Sequence, residues 1–132
     1  MVVEAAILLP FFLILTLALM EYGWMYLKSE EIANAARHGA RVGARIDATN
    51  ADIEAAVAAL MSAAGIGGYN VTIELEEGSG VAPVPGGGTV GDTLTVAIQV
   101  PYAGSALELV GVPLIPVPAQ LRFSVSMAKE RS

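Results

Sequence analysis

Apolar positions in this chain follow two distinct patterns. From Ala5 to Met20 there are sixteen residues without a charge, followed after Glu21 by Tyr22, Gly23, Trp24, Met25, Tyr26 and Leu27. At ~1.5 Å per residue the uncharged run covers about 24 Å. Extension to Leu27 reaches the ~30 Å of a hydrocarbon core, with aromatic residues where an interfacial belt would sit. The run lacks the basic beginning and small-residue cleavage site of a signal peptide, and a helix continues beyond it. From Lys28 to about Arg45 polar faces appear and the pattern becomes amphipathic, which predicts one rod of ~60 Å or more. Pro10 lacks an N–H for the carbonyl of Ala6 and is expected to kink or locally melt the first turns.

The second pattern has a period of two. Val71, Ile73 and Leu75 oppose Thr72, Glu74 and Glu76; Leu94, Val96, Ile98 and Val100 oppose Thr95, Ala97 and Gln99; Leu121, Phe123, Val125 and Met127 oppose Arg122, Ser124 and Ser126. These alternations predict half-buried strands over about 69–77, 93–101 and 119–129. One wet face implies an antiparallel sheet, and the long helix is the surface on which its apolar face can lie. Before the strands, Thr49 or Asn50 can cap a short helix over about 50–64 that closes at Gly65. Residues 78–91 hold six glycines without periodicity and are expected to be an exposed loop. Pro101 to Pro118 forms a second connection, with a helical turn expected around Ala106 to Val110. The fold class is therefore α+β, with an apolar helix over 1–27 and a globular domain over 28–132.

Charge placement sharpens this picture. Glu4 lies almost at the N-terminus and Glu21 interrupts the apolar stretch, and an ionised carboxylate at membrane depth costs on the order of 3 kcal/mol or more unless paired. Glu4 has two readings: solvated at the membrane surface, where it suits the helix macrodipole, or paired with a neighbouring chain. No Lys or Arg precedes Lys28. The positive-inside rule would then place the C-terminal side in the cytoplasm, unless a basic leader on the other side had been removed. Ala35, Gly39 and Gly43 form a small-residue stripe that lets another backbone come close. Arg37, Arg41 and Arg45 form a row at the same spacing, either a solvated basic face or a docking face for acidic groups of the same or another subunit.

Composition narrows the function. The chain has 132 residues, 55% of them hydrophobic and 15% charged, with mean hydropathy +0.61, too apolar for a disordered chain. Seven Lys+Arg against thirteen Asp+Glu give no basic patch for a phosphate backbone, so nucleic acid is not an expected partner. Without cysteine there are no disulfides or thiolate sites, and the one histidine, His38, sits in an Arg-rich helical segment. Asp47, Asn50, Asp52 and Glu54 lack the loop glycine and closing Glu of an EF-hand, so capping explains them better than calcium. The glycine loop lacks the Gly-Lys-Ser/Thr ending of a phosphate loop. Glu30/Glu31 and Glu76/Glu77 are adjacent pairs whose side chains point apart. No catalytic set, metal site or cofactor is expected, and an enzyme has no residues to carry it.

Val3-Glu4-Ala5-Ala6 with Leu8-Leu9-Pro10, then Glu21-Tyr22-Gly23, then Ala35-Ala36-Arg37-His38-Gly39-Ala40-Arg41 together resemble the N-terminal signature of TadE-like pilins or pseudopilins. Val100-Pro101-Tyr102, a proline-interrupted loop and a final strand reaching Ser126-Met127-Ala128-Lys129-Glu130 are similar to the way such chains close. The resemblance implies a type IV pilin-like fold and a subunit of the tight-adherence system. It further implies a basic leader removed by a prepilin peptidase, with Met1 as the processed terminus, and pairing of Glu4 with the terminal amine of an adjacent subunit.

Bundled helices would then bury Leu8, Leu9, Pro10, Phe11, Phe12, Leu13, Leu15, Leu17 and Glu21 as filament-core residues, and Glu21 would need its own partner or a proton. Arg37, Gly39, Arg41, Gly43 and Arg45 are the candidate helix-docking residues. Expected partners are further copies in a helical filament with possible other pilins, the prepilin peptidase, the inner-membrane assembly platform and the membrane before assembly. The expected location is the inner membrane first and a cell-surface filament afterwards. A non-polymerising inner-membrane component of the assembly machine stays open as the alternative, and a sensor domain on a membrane stalk stands further off.

Overall fold

The computed structural model describes residues 2–45, 47–77, 80–82 and 92–129. Helix α1 spans Val2–Gly43 and α2 spans Asn50–Ala63; strands β1 (Asn70–Glu77), β2 (Gly80–Ala82), β3 (Thr93–Pro101) and β4 (Gln120–Ala128) follow. The sheet is antiparallel in the order β2-β1-β3-β4. The arrangement is the α+β, pilin-like one expected from the sequence: an N-terminal apolar helix whose C-terminal half carries a second helix and a small sheet.

Helix α1 runs unbroken through Pro10, so the first turns are not melted as expected. Proline removes one donor from the ladder, and the helix-forming residues on either side keep the remaining bonds. The helix closes with Ala44 donating to the Ala40 carbonyl at 2.9 Å and Arg45 to Val42 at 3.3 Å.

The alternating positions register across the sheet. Val71 faces Ile98, Ile73 faces Val96 and Leu75 faces Leu94; Ile98, Val96 and Leu94 in turn face Phe123, Val125 and Met127. This apolar face joins Ile32, Ala35, Ala36 and Ala40 of α1 and Ile53, Val57 and Met61 of α2 in one core. On the outer face the Thr95 and Ser126 hydroxyls share a 2.8 Å hydrogen bond, a cross-strand pair of the kind that stabilises half-wet sheets.

Two expectations about the loops differ from the structure. Part of the glycine-rich segment is an edge strand: Gly80–Ala82 pairs with β1, Glu77 opposite Gly80 and Leu75 opposite Ala82. Three residues are too few to show a period, and backbone pairing asks nothing of side chains. The rest of the expected loop, 78–79 and 83–91, lies outside the described residues. The expected helical turn at Ala106 to Val110 is instead a pair of turns, Ser105 donating to the Tyr102 carbonyl at 3.0 Å and Glu108 to that of Ser105 at 3.3 Å. Gly104 and Gly111 take φ of 71° and 60°, which a helix does not admit.

Helix α2 begins with a capping box. The Asp52 amide donates to Thr49 Oγ1 at 3.3 Å, and the Thr49 amide donates to the Asp52 carboxylate at 2.9 Å. The Thr49 hydroxyl also donates to that carboxylate, at 2.7 Å, and the two donations, the backbone one first, hold the Asp52 carboxyl below its ordinary value. At the other end no basic residue lies in the last turn of α2. Lys28 of α1 supplies the cation: buried, it donates to the Ala64 carbonyl and to Glu31, each at 2.8 Å, and lies 4.8 Å from the Trp24 ring centroid. A cation at that terminus suits the helix dipole and ties the two helices together.

Two outcomes follow from this packing. A Cβ at Gly39 would lie 2.6 Å from a Val57 methyl, so Gly39→Leu is expected to lose about 1–3 kcal/mol despite its gain in helix propensity; the urea midpoint of the detergent-solubilised chain, followed by fluorescence of the single tryptophan, checks this. Asp52 has a lowered carboxyl, so its stabilisation is complete above the unfolded value near 3.8 and is lost as pH falls through the lower folded value. The wild type should therefore exceed Asp52→Asn in stability at neutral pH, and the gap should close in acid; a gap that does not change with pH refutes the cap's contribution.

Candidate assembly interface

The N-terminal half of α1 is bare. Leu8, Leu9, Phe11, Phe12, Leu13 and Leu15 are exposed, between 47% and 66%, and Pro10 is exposed with them. Leu17 and Ala18 are half-buried. Burying one side chain of this kind contributes about 1.5–3 kcal/mol, so a handful left in water would rival the whole stability of a small domain. The helix is long and apolar enough to cross a membrane. An open groove lined by Leu9, Phe12, Leu13, Thr16 and Leu17 runs along it, and the one hydroxyl there is already satisfied, Thr16 Oγ1 donating to the Phe12 carbonyl at 2.8 Å. Such a surface can receive lipid chains or the ridge of another helix equally well.

Glu4 lies exposed in the first turn of α1, where a carboxylate suits the positive end of the helix dipole. Its expected partner at Met1 lies outside the described residues.

Glu21 behaves differently from its expected place among the filament-core residues. It is 2% exposed, and its partners come from its own chain. The Tyr102 hydroxyl donates to Oε1 at 2.5 Å, and the amides of Val110 and Leu109 donate to the carboxylate at 2.7 and 3.4 Å. Burial pushes the Tyr102 hydroxyl above its ordinary range, and the hydrogen bond to Glu21 raises it further, so it stays a donor throughout physiological pH. Two neighbours fasten the same connection between β3 and β4: Tyr22 Oη donates to the Pro116 carbonyl at 2.7 Å, and Trp24 Nε1 to that of Leu107 at 2.8 Å. The globular domain thus grips α1 from Glu21 onward and leaves residues 4–20 largely uncovered.

The candidate docking residues divide. Gly39 and Gly43 are buried against this chain's own Val57, Ile53 and Leu94, so the close backbone approach foreseen for the small-residue stripe is made by α2 and β3 of the same subunit. Arg37 and Arg41 are exposed, and Arg45 makes an exposed 3.3 Å pair with Asp47, an interaction worth little in water.

Sequence reasoning missed Tyr102 as the partner of Glu21. The signal was present in Val100-Pro101-Tyr102, where a tyrosine follows directly on a strand, but no spacing rule links it to a carboxylate 81 positions away. Tyr22 and Trp24 read as belt aromatics because hydropathy does not show that an N–H or O–H has found a carbonyl.

Removing the Glu21 carboxylate leaves buried donors without an acceptor. Glu21→Ala is expected to destabilise by about 3 kcal/mol or more, Tyr102→Phe by about 1–3 kcal/mol, and Glu21→Gln by an intermediate amount because one acceptor survives. Trp24 shares the connection and should report each loss as a red-shifted emission at lower urea; unchanged midpoints for all three would contradict the grip.

No curated protein and no solved structure matches this chain. Residues 1–41, which comprise the bare rod, the Glu21-Tyr22-Gly23-Trp24 grip and the helix as far as Arg41, match the family model described as TadE-like protein.

Proposed function

We propose that the chain is a structural subunit, major or minor, of a type IV pilus-like filament of the tight-adherence system, polymerising through bundled N-terminal helices in support of adhesion or surface colonisation. The observation that carries this reading is the bare rod: the domain is fastened at Glu21, and the apolar side chains below it are left largely exposed by the described residues. Such a surface suits a bilayer before assembly and sister helices after it, because burial away from water drives both. The TadE-like match over the same residues supports it. In this scheme Glu4 pairs with a cation of the neighbouring subunit and fixes the axial register, since a carboxylate inside an apolar bundle needs a counter-charge. A prepilin peptidase and an inner-membrane platform act on the membrane-held form, and the sheet becomes the outside of the filament.

The same bare rod would serve a component that stays in the inner membrane. Shearing separates the two: filaments that contain this chain by mass spectrometry support the structural subunit, while recovery in the membrane fraction alone refutes it. Glu4→Ala is expected to leave membrane insertion intact and to lower filament yield at least several-fold; normal yield in that variant overturns the role given to Glu4.

A further inference from the structure

The connection between β3 and β4 carries more apolar surface than its place in the fold requires. From Leu109 to Leu121 it has no charged residue. Leu109 and Leu114 are 47% and 74% exposed, and Pro113, Pro116 and Pro118 are exposed as well. Its course is set by the grip on α1: Leu107 is held at Trp24, Leu109 and Val110 at Glu21, and Pro116 at Tyr22. The connection is therefore pinned along one turn of the helix, Glu21 to Trp24, immediately above the bare rod. Leu17 and Ala18, one turn below Glu21, are the half-covered residues of the stretch 4–20.

Helix α1 begins at Val2, so the stretch below Glu21 rises ~28 Å and nearly matches the ~30 Å hydrocarbon core. The membrane edge then falls at Glu21 and at the connection fastened there. Pro113, Pro116 and Pro118 have no N–H, the amides of Leu109 and Val110 are bonded to Glu21, and that of Ile115 donates to the Val112 carbonyl at 3.0 Å. The amides of Gly111, Val112, Leu114 and Val117 have no hydrogen bond among the described residues, which suits the hydrated headgroup zone and not the hydrocarbon itself.

We propose that the Leu109–Pro118 segment is a second membrane-contact element, bedding Leu109 and Leu114 into the headgroup–acyl boundary of a lipid bilayer while the stretch of α1 below Glu21 spans its core. The inference rests on the membrane-held stage of the reading above. The domain is then seated on the lipid surface at a fixed height, with Tyr22 and the leucines forming one interfacial collar.

The chain contains no cysteine, so single cysteines carrying an environment-sensitive nitrobenzoxadiazole dye can be placed one at a time. The test compares Phe12→Cys, Leu114→Cys and Ser124→Cys in the full chain, reconstituted into phosphatidylcholine–phosphatidylglycerol vesicles with and without brominated acyl chains. The proposal expects about two-fold or stronger quenching and a blue-shifted emission at positions 12 and 114, with the dye at 124, on the outer sheet face, behaving as in water. Quenching at 12 with a water-like signal at 114 overturns the collar and leaves the spanning rod intact. A shift at 114 that is insensitive to bromine and fades as lipid dilutes the protein assigns the leucines to a second copy and also overturns it. Absence of quenching at 12 overturns the spanning rod and the collar together.

Discussion

A carboxylate removed from water must be given hydrogen bonds in return, and the way Glu21 meets that demand divides the molecule. Its acceptors take a phenol from the residue just after β3 and amides from the middle of the next connection. Those donors can reach the helix only if the sheet lies across its C-terminal half. A single buried acid thus sets where the domain begins on the rod. Below it the described residues leave the helix largely uncovered; above it the core closes around Ile32, Ala36 and Ala40. Breaking a buried arrangement of this kind costs far more than an exposed pair such as Arg45–Asp47 contributes.

The upper half is held by residues chosen for size as much as for polarity. Gly39 and Gly43 leave room for Ile53, Val57 and Leu94, so α2 and β3 come closer than a helix with larger side chains at those positions would allow. Lys28 closes the far end of α2, a charge borrowed from another helix in place of a basic last turn. The core, the cap and the grip are separate interactions on one rod, and each one fixes a different element against it.

Much of this was legible in the sequence because it is periodic. The rod showed as a run without charge, the three longer strands as strict alternation, and α2 as a cap followed by an apolar stretch. The features that were not legible depend on meetings between distant residues. Thr49 and Asp52 are three apart, and their box could be read; Glu21 and Tyr102 are far apart in the chain, and it was hidden. The small-residue stripe shows the limit most clearly. Glycines every four residues announce that a backbone will come close, yet nothing in that spacing says whether the visitor is a sister subunit or the chain's own second helix. Strand β2 escaped because a ladder of main-chain bonds needs no particular side chain, and the turns after Tyr102 escaped because the Leu109 and Val110 amides serve Glu21.

Pro10, within the otherwise unbroken α1, has one more consequence. A cylinder coated in leucine and phenylalanine offers packing neighbours almost no means of distinguishing one azimuth from another. Proline withholds an amide hydrogen from the carbonyl of Ala6, so one meridian of that cylinder carries a dipole that its own ladder does not answer. Wherever this rod is surrounded by its equals, that polar notch gives it a front and a back.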